Sequence, residues 1–90
     1  MLQTYLGCYY DSSNNRLLSH RINGDNHTEQ SCRQSCSSYK YFGLQYMGEC
    51  RCGNSIANAQ KVSEGQCNTK CRKDTRQTCG GPYRNSLHKV

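Results

Sequence analysis

Apolar and polar residues alternate with a period of two in several stretches of this chain, and turn-forming residues mark where those stretches end. In 4–11 (TYLGCYYD), Leu6, Cys8 and Tyr10 share one face, and Tyr5, Gly7 and Tyr9 share the other, which predicts a strand. In 41–46 (YFGLQY), Phe42, Leu44 and Tyr46 alternate with Tyr41, Gly43 and Gln45. Met47-Gly48 then supplies a hairpin turn, and 49–52 returns antiparallel with Cys50 and Cys52 on one side and Arg51 on the other. Residues 16–19 are expected to form a short strand, and 86–90 a closing edge strand. Ser12–Asn15, Asn23-Gly24 and Gly80-Gly81-Pro82 are turn chemistry. If the cysteine-bearing faces point inward, Tyr10 and Tyr46 belong to the core. Tyr9, Tyr41, Gln45 and Arg51 then point outward.

Two stretches follow a helical period instead. Thr28 is an N-cap candidate with Glu29 in the first turn, where the helix dipole favours a carboxylate. The helix is expected to run to about Ser37, with Cys32 and Cys36 one turn apart on a single face. Ser63 and Gln66 have capping-box spacing, which predicts a second short helix carrying Cys67 and Cys71, weakened by Gly65. Four residues along a helix rise about 6 Å and two along a strand about 6.6 Å, so a Cys32/Cys36 face can be clamped to a Cys50/Cys52 face by two parallel bridges. Cys32–Cys50 with Cys36–Cys52 is the first choice. Cys32–Cys52 with Cys36–Cys50 differs only in the relative direction of helix and strand. Cys71 and Cys79 are close enough for a local bridge, which leaves Cys8 for Cys67.

Composition changes this picture in one respect. Six Leu, two Ile, two Val and one Phe leave the 90 residues with a thin aliphatic core, at a level that would ordinarily mark disorder. Eight cysteines in so short a chain indicate instead a disulfide scaffold, with cross-links in place of a large core. The Cys-x3-Cys and Cys-x-Cys spacings are not zinc-knuckle spacings, and His20, His27 and His88 stand apart from one another. No metal or cofactor is therefore expected. Residues 4–90 are expected to form one domain of a longer secreted or membrane-anchored protein, with residues 1–3 a processing remnant. The expected location is extracellular, secreted or at the cell surface. Asn26-His27-Thr28 is a glycosylation sequon at Asn26.

The net charge of +6 is spread along the chain, with Arg72-Lys73 the one adjacent pair, and this argues for a solvated surface over a nucleic-acid patch. No apolar run approaches the length needed to enter a membrane. The six carboxylates form no motif, every cysteine is assigned to a bridge, and no nucleophile or phosphate-binding signature is present, so no enzymatic activity is expected.

Tyr5-Leu-Gly-Cys-Tyr, Thr28-x3-Cys-x3-Cys36, Tyr41-Phe-Gly-Leu-Gln45, Glu49-Cys-x-Cys-Gly-Asn54, Cys67-Asn-x2-Cys71 and Cys79-Gly-Gly81 together resemble the WSC (wall-stress component) domain. The resemblance spans residues 4 to 90 and takes in all eight cysteines in order. It implies a compact α+β fold of the PAN/apple kind, an antiparallel sheet crossed by a helix. It also implies the bridges Cys8–Cys67, Cys32–Cys50, Cys36–Cys52 and Cys71–Cys79. The function it implies is non-catalytic, lectin-like recognition of cell-wall or surface polysaccharide, β-glucan or mannan. The second reading is a protein-interaction module of a surface receptor or sensor. Arg51 stands where many members carry an aromatic residue, and Arg72-Lys73 where many carry glycine.

Sugar recognition uses flat aromatic faces together with amide, carboxylate or guanidinium groups that bond hydroxyls. Seven tyrosines and no tryptophan suit it, since tyrosine has a large rigid face and a polar tip. The candidate contacts are the outward-facing Tyr9, Tyr41, Gln45 and Arg51, with Asn54 at a strand end as a polar contact; Tyr39 and Tyr83, in loops, are weaker candidates.

Overall fold

The structure, a computed structural model, describes residues 4–90; the remnant expected at residues 1–3 lies outside them. Five strands and one helix are present: β1 (Tyr5–Tyr10), β2 (His20–Arg21), α1 (Glu29–Ser35), β3 (Tyr41–Gln45), β4 (Glu49–Gly53) and β5 (Arg84–Lys89). They form a single antiparallel sheet in the order β1-β5-β3-β4-β2. The β3–β4 hairpin pairs Phe42 with Cys52 and Leu44 with Cys50, so the apolar side of one strand and the cysteine side of the other form a common face. Among the described residues no helix is long and apolar enough to cross a membrane.

Helix α1 lies on that face. Thr28 caps it, and the cap is reciprocal: the Thr28 side chain accepts from the Ser31 backbone N–H, and Ser31 Oγ accepts from the Thr28 N–H at 2.9 Å. The cap aims Cys32 and Cys36 down at β4. They bond Cys50 and Cys52 across Cα separations of 5.6 and 5.4 Å, the first of the two registers allowed by spacing. Cys8–Cys67 ties β1 to the 3₁₀ turn region, and Cys71–Cys79 closes a local loop. Cys32, Cys36 and Cys50 hold their sulfurs close together because two neighbouring bridges meet there. Phe42 and Leu44 fill the space around them with no exposed surface.

Three elements depart from expectation. The short strand is His20–Arg21, paired to β4, and not 16–19. Leu18 is instead fully buried against the opposite face of the sheet. It fits because Gly43 and Gly53 lack side chains: a Cβ on either would lie 3.0 or 2.9 Å from a Leu18 methyl carbon. The last strand begins at Arg84 and is interior, paired with β1 on one side and β3 on the other. The second helix shrinks to one 3₁₀ turn, Glu64–Gln66, whose Ser63 makes no side-chain cap bond. Gly65 inside so short a segment leaves too little to sustain an α-helix, and Cys67 and Cys71 therefore lie beyond it.

The exposed edge of β1 is occupied by residues 60–62, through Val62 N–H to Cys8 O and Tyr10 N–H to Gln60 O, both 2.9 Å, a covering that blunts an otherwise free strand edge. At the other end of the chain, the Lys89 N–H donates to Thr4 O at 2.9 Å, and Val90 N–H to Lys40 O at 3.0 Å.

Candidate functional site: the aromatic end of the sheet

The C-terminal ends of β1 and β3 and the N-terminal end of β5 meet at one end of the sheet, because β5 runs antiparallel to both its neighbours. Three tyrosines gather there. Tyr10 ends β1, Tyr46 follows β3 directly, and Tyr83 precedes β5 directly. Tyr10 and Tyr83 are 42% and 45% exposed, the most exposed aromatic residues described. Tyr46 and Tyr83 form an edge-to-face pair with ring centroids 5.6 Å apart, and Arg84 lies over the Tyr10 ring at 5.0 Å.

Backbone geometry fixes this group. Tyr46, Met47 and Tyr83 adopt φ of 52, 71 and 55°, the left-handed region, and they are the non-glycine residues of the described chain that do so. That conformation is costly for a residue with a Cβ and persists where surrounding structure enforces it. Around Tyr83, its carbonyl accepts from Asp11 N–H at 2.9 Å and from Arg84 Nη1 at 2.9 Å. Asp11, itself buried, accepts from Leu17 N–H at 2.8 Å and from Arg16 Nη1 at 2.7 Å. Burial pushes the Tyr46 phenol above its ordinary pKa, and contact with Tyr83 adds to the shift. The Tyr46 phenol therefore presents an O–H group.

Beside Tyr10 the surface sinks into a hollow of about 380 Å³, lined also by Ser12, Asn15, Leu17, Asn58 and Gln60. The volume lies in the range of small-molecule sites. An aromatic rim, a guanidinium and a bed of amides and hydroxyls can stack on the apolar side of a pyranose ring and bond its hydroxyls.

The residues singled out from sequence are placed elsewhere and form no single site: Gln45 and Arg51 meet at Glu49, and Tyr39, Tyr41 and Asn54 gather toward the end of β3 remote from Tyr46. Gln45 was expected outward, but its side chain has no exposed surface and donates to Glu49 Oε1 at 3.2 Å. Arg51 is likewise buried, held to Glu49 at 2.9 Å. Both lie on the face opposite the disulfides, as the alternation requires, but Leu18, Leu87 and Asn85 close that face over. Tyr10, read as core, is exposed, and Tyr46, also read as core, is half-buried at the same end of the sheet. Tyr9 and Tyr41 are half-buried. Tyr39 packs against the core and stacks on His20 at 5.4 Å, and Asn54 Oδ1 accepts from Lys40 N–H at 2.9 Å. Asn26 is exposed.

Sheet, staples and aromatic end together define a small cysteine-bridged α+β module with three tyrosines at one end, one of them beside a polar hollow. The WSC domain model matches residues 5–81, and the chain belongs to that family. It is 36% identical over 88 residues to a WSC domain-containing protein of Arthroderma benhamiae, covering 96% of this chain and 12% of that protein. It is 34% identical to xylosyltransferase oxt of Drosophila melanogaster over 94% of this chain and 10% of that enzyme. A xylosyltransferase of Caenorhabditis briggsae is 32% identical over 90% of this chain and 11% of its own length. The chain thus spans about a tenth of these relatives.

Proposed function

We propose that this WSC domain is a non-catalytic carbohydrate-binding module of a longer extracellular protein, secreted or held at the cell surface, and that it grips polysaccharide through Tyr10, Tyr46 and Tyr83. The observation that carries the reading is the gathering of Tyr10, Tyr46 and Tyr83 at one end of a rigid sheet, with Tyr10 and Tyr83 exposed and Tyr10 beside a polar hollow. Rigid elements hold such a site to the tolerance recognition needs. Four bridges suit an oxidising compartment. The domain occurs within proteins named as xylosyltransferases, which is consistent with an accessory role beside sugar chemistry. β-Glucan and mannan are the polymers proposed.

The test is retention on insoluble β-glucan, mannan and chitin. The Tyr10→Ala/Tyr83→Ala variant is expected to lose affinity about tenfold per ring, the scale of one aromatic contact, while Tyr9→Ala/Tyr41→Ala is retained. Loss in the second variant alone would move the site to the sheet face. No retention on any polymer would favour protein recognition. A stacking-driven complex survives high salt, whereas one driven by the net charge of +6 is released.

A further inference from the structure

A second concavity, of about 480 Å³, opens between α1, β1, β5 and the 3₁₀ turn, and none of the tyrosines at the aromatic end lines it. Its walls carry two carboxylates, Glu29 and Glu64, and no lysine or arginine; Arg33, just outside, stands 3.7 Å from Glu29 Oε2 and leaves Oε1 to the pocket. At its base stands His88, only 5% exposed and stacked flat on Phe42 at 4.6 Å. His88 Nδ1 is buried with no hydrogen-bond partner, and Glu29 Oε1 lies 3.5 Å from it. An unpaired buried polar atom is costly enough that a ligand able to satisfy it is favoured.

The chemistry of that ligand follows from the two atoms. Burial lowers the His88 pKa to about 4, and the neighbouring Arg33 lowers it further, so near neutrality the ring is uncharged. A neutral imidazole can carry its proton on either nitrogen, and a donor arriving between Nδ1 and Glu29 selects the tautomer with the proton on Nε2, which makes Nδ1 an acceptor. Two acceptors 3.5 Å apart can both be reached at ordinary hydrogen-bond distance by one nitrogen. A hydroxyl has a single hydrogen and serves one of them. An ammonium group has three and serves both, and the carboxylates favour its charge. The rest of the lining is neutral and suits hydroxyls. Gln77 is held by Glu29 N–H at 3.0 Å and by Gln30 Oε1 at 3.0 Å, and Thr78 and Ser86 stand beside it. Tyr5 forms an aromatic wall, its phenol donating to Glu64; burial, with Glu64 adding, pushes that phenol well above its usual range and keeps it a donor.

We propose that this pocket binds the protonated amine of an amino sugar, with Glu29 Oε1 and His88 Nδ1 as joint acceptors of the ammonium group and the amide and hydroxyl side chains taking the ring hydroxyls. The site is separate from the aromatic end and stands or falls independently of it. The test is a ¹⁵N-resolved NMR titration of the whole chain with glucosamine trisaccharide, N-acetylglucosamine trisaccharide and a neutral glucose trisaccharide. Glucosamine trisaccharide is expected to shift the amides of Glu29, Gln30, Thr78 and His88, and the other two are not. Glu29→Gln, checked for an intact spectrum, is expected to bind about tenfold more weakly. Silent amides around the pocket, equal shifts from the acetylated sugar, or an unweakened Glu29→Gln would each overturn the site. The comparison of free with acetylated amine needs no variant, so it decides the question even if Glu29→Gln fails to fold.

Discussion

Tyr83 carries two conflicting demands at one position: its side chain serves the surface while its backbone sits at φ 55°. Relieving the backbone without restoring the ring separates them. Tyr83→Gly should melt higher than Tyr83→Ala by the equivalent of about 1 kcal/mol, since glycine alone adopts this conformation without penalty, while both lose glycan retention equally. His88 makes a second residue-scale prediction. Its folded pKa of about 4 lies below the ordinary 6.5, so the unfolded chain binds the extra proton between those values. The associated stability is present above about pH 6.5 and lost as the pH falls toward 4, on the order of 3 kcal/mol at full development. Urea unfolding at pH 7 and pH 4 should show a smaller acid loss for His88→Phe than for the parent. Neither the tyrosine cluster nor this histidine was legible from alternation. Tyr10 lies on the cysteine side as expected but at the strand's end, past the disulfides. Tyr46 leaves the strand altogether, so the period of two stops at Gln45. Gln45 and Arg51 were misread because alternation predicts sides and not cover, and here both sides of the central strands are covered.

At the scale of elements, local chemistry spoke clearly where it was reciprocal. Thr28 and Ser31 satisfy each other's backbone groups, and α1 begins where the sequence places it. Thr28→Ala should cost about 1 kcal/mol in thermal or urea unfolding, and Thr28→Ser much less. Ser63 offers the same spacing with no such bond, and the helix does not form. The β3–β4 hairpin was readable because turn, alternation and cysteines agreed. The interior place of β5 was not, since its polar residues, Asn85, Ser86 and His88, are buried and imitate an edge.

Across the whole molecule, sulfur replaces bulk. The bridges close spans of 59, 18, 16 and 8 residues, for which chain-entropy arguments give about 4 kcal/mol for the longest and about 2.5–3 for each of the others. With so few large aliphatic side chains, their loss should unfold the domain. Reductant should add eight hydrogens to the intact mass, two for each of the four bridges, and collapse amide dispersion in the same preparation. Addition of all eight hydrogens with a preserved spectrum would show that the core stands without its staples.

The Lys89–Thr4 and Val90–Lys40 contacts lie where β1 starts and β5 finishes, at the pole away from Tyr46 and Tyr83. Thr4 and Val90 thus lie near each other there, opposite the aromatic end. On the proposed reading, that pole faces away from the end that would meet a polymer, so the backbone contacts holding β1 to β5 there stay clear of the binding surface.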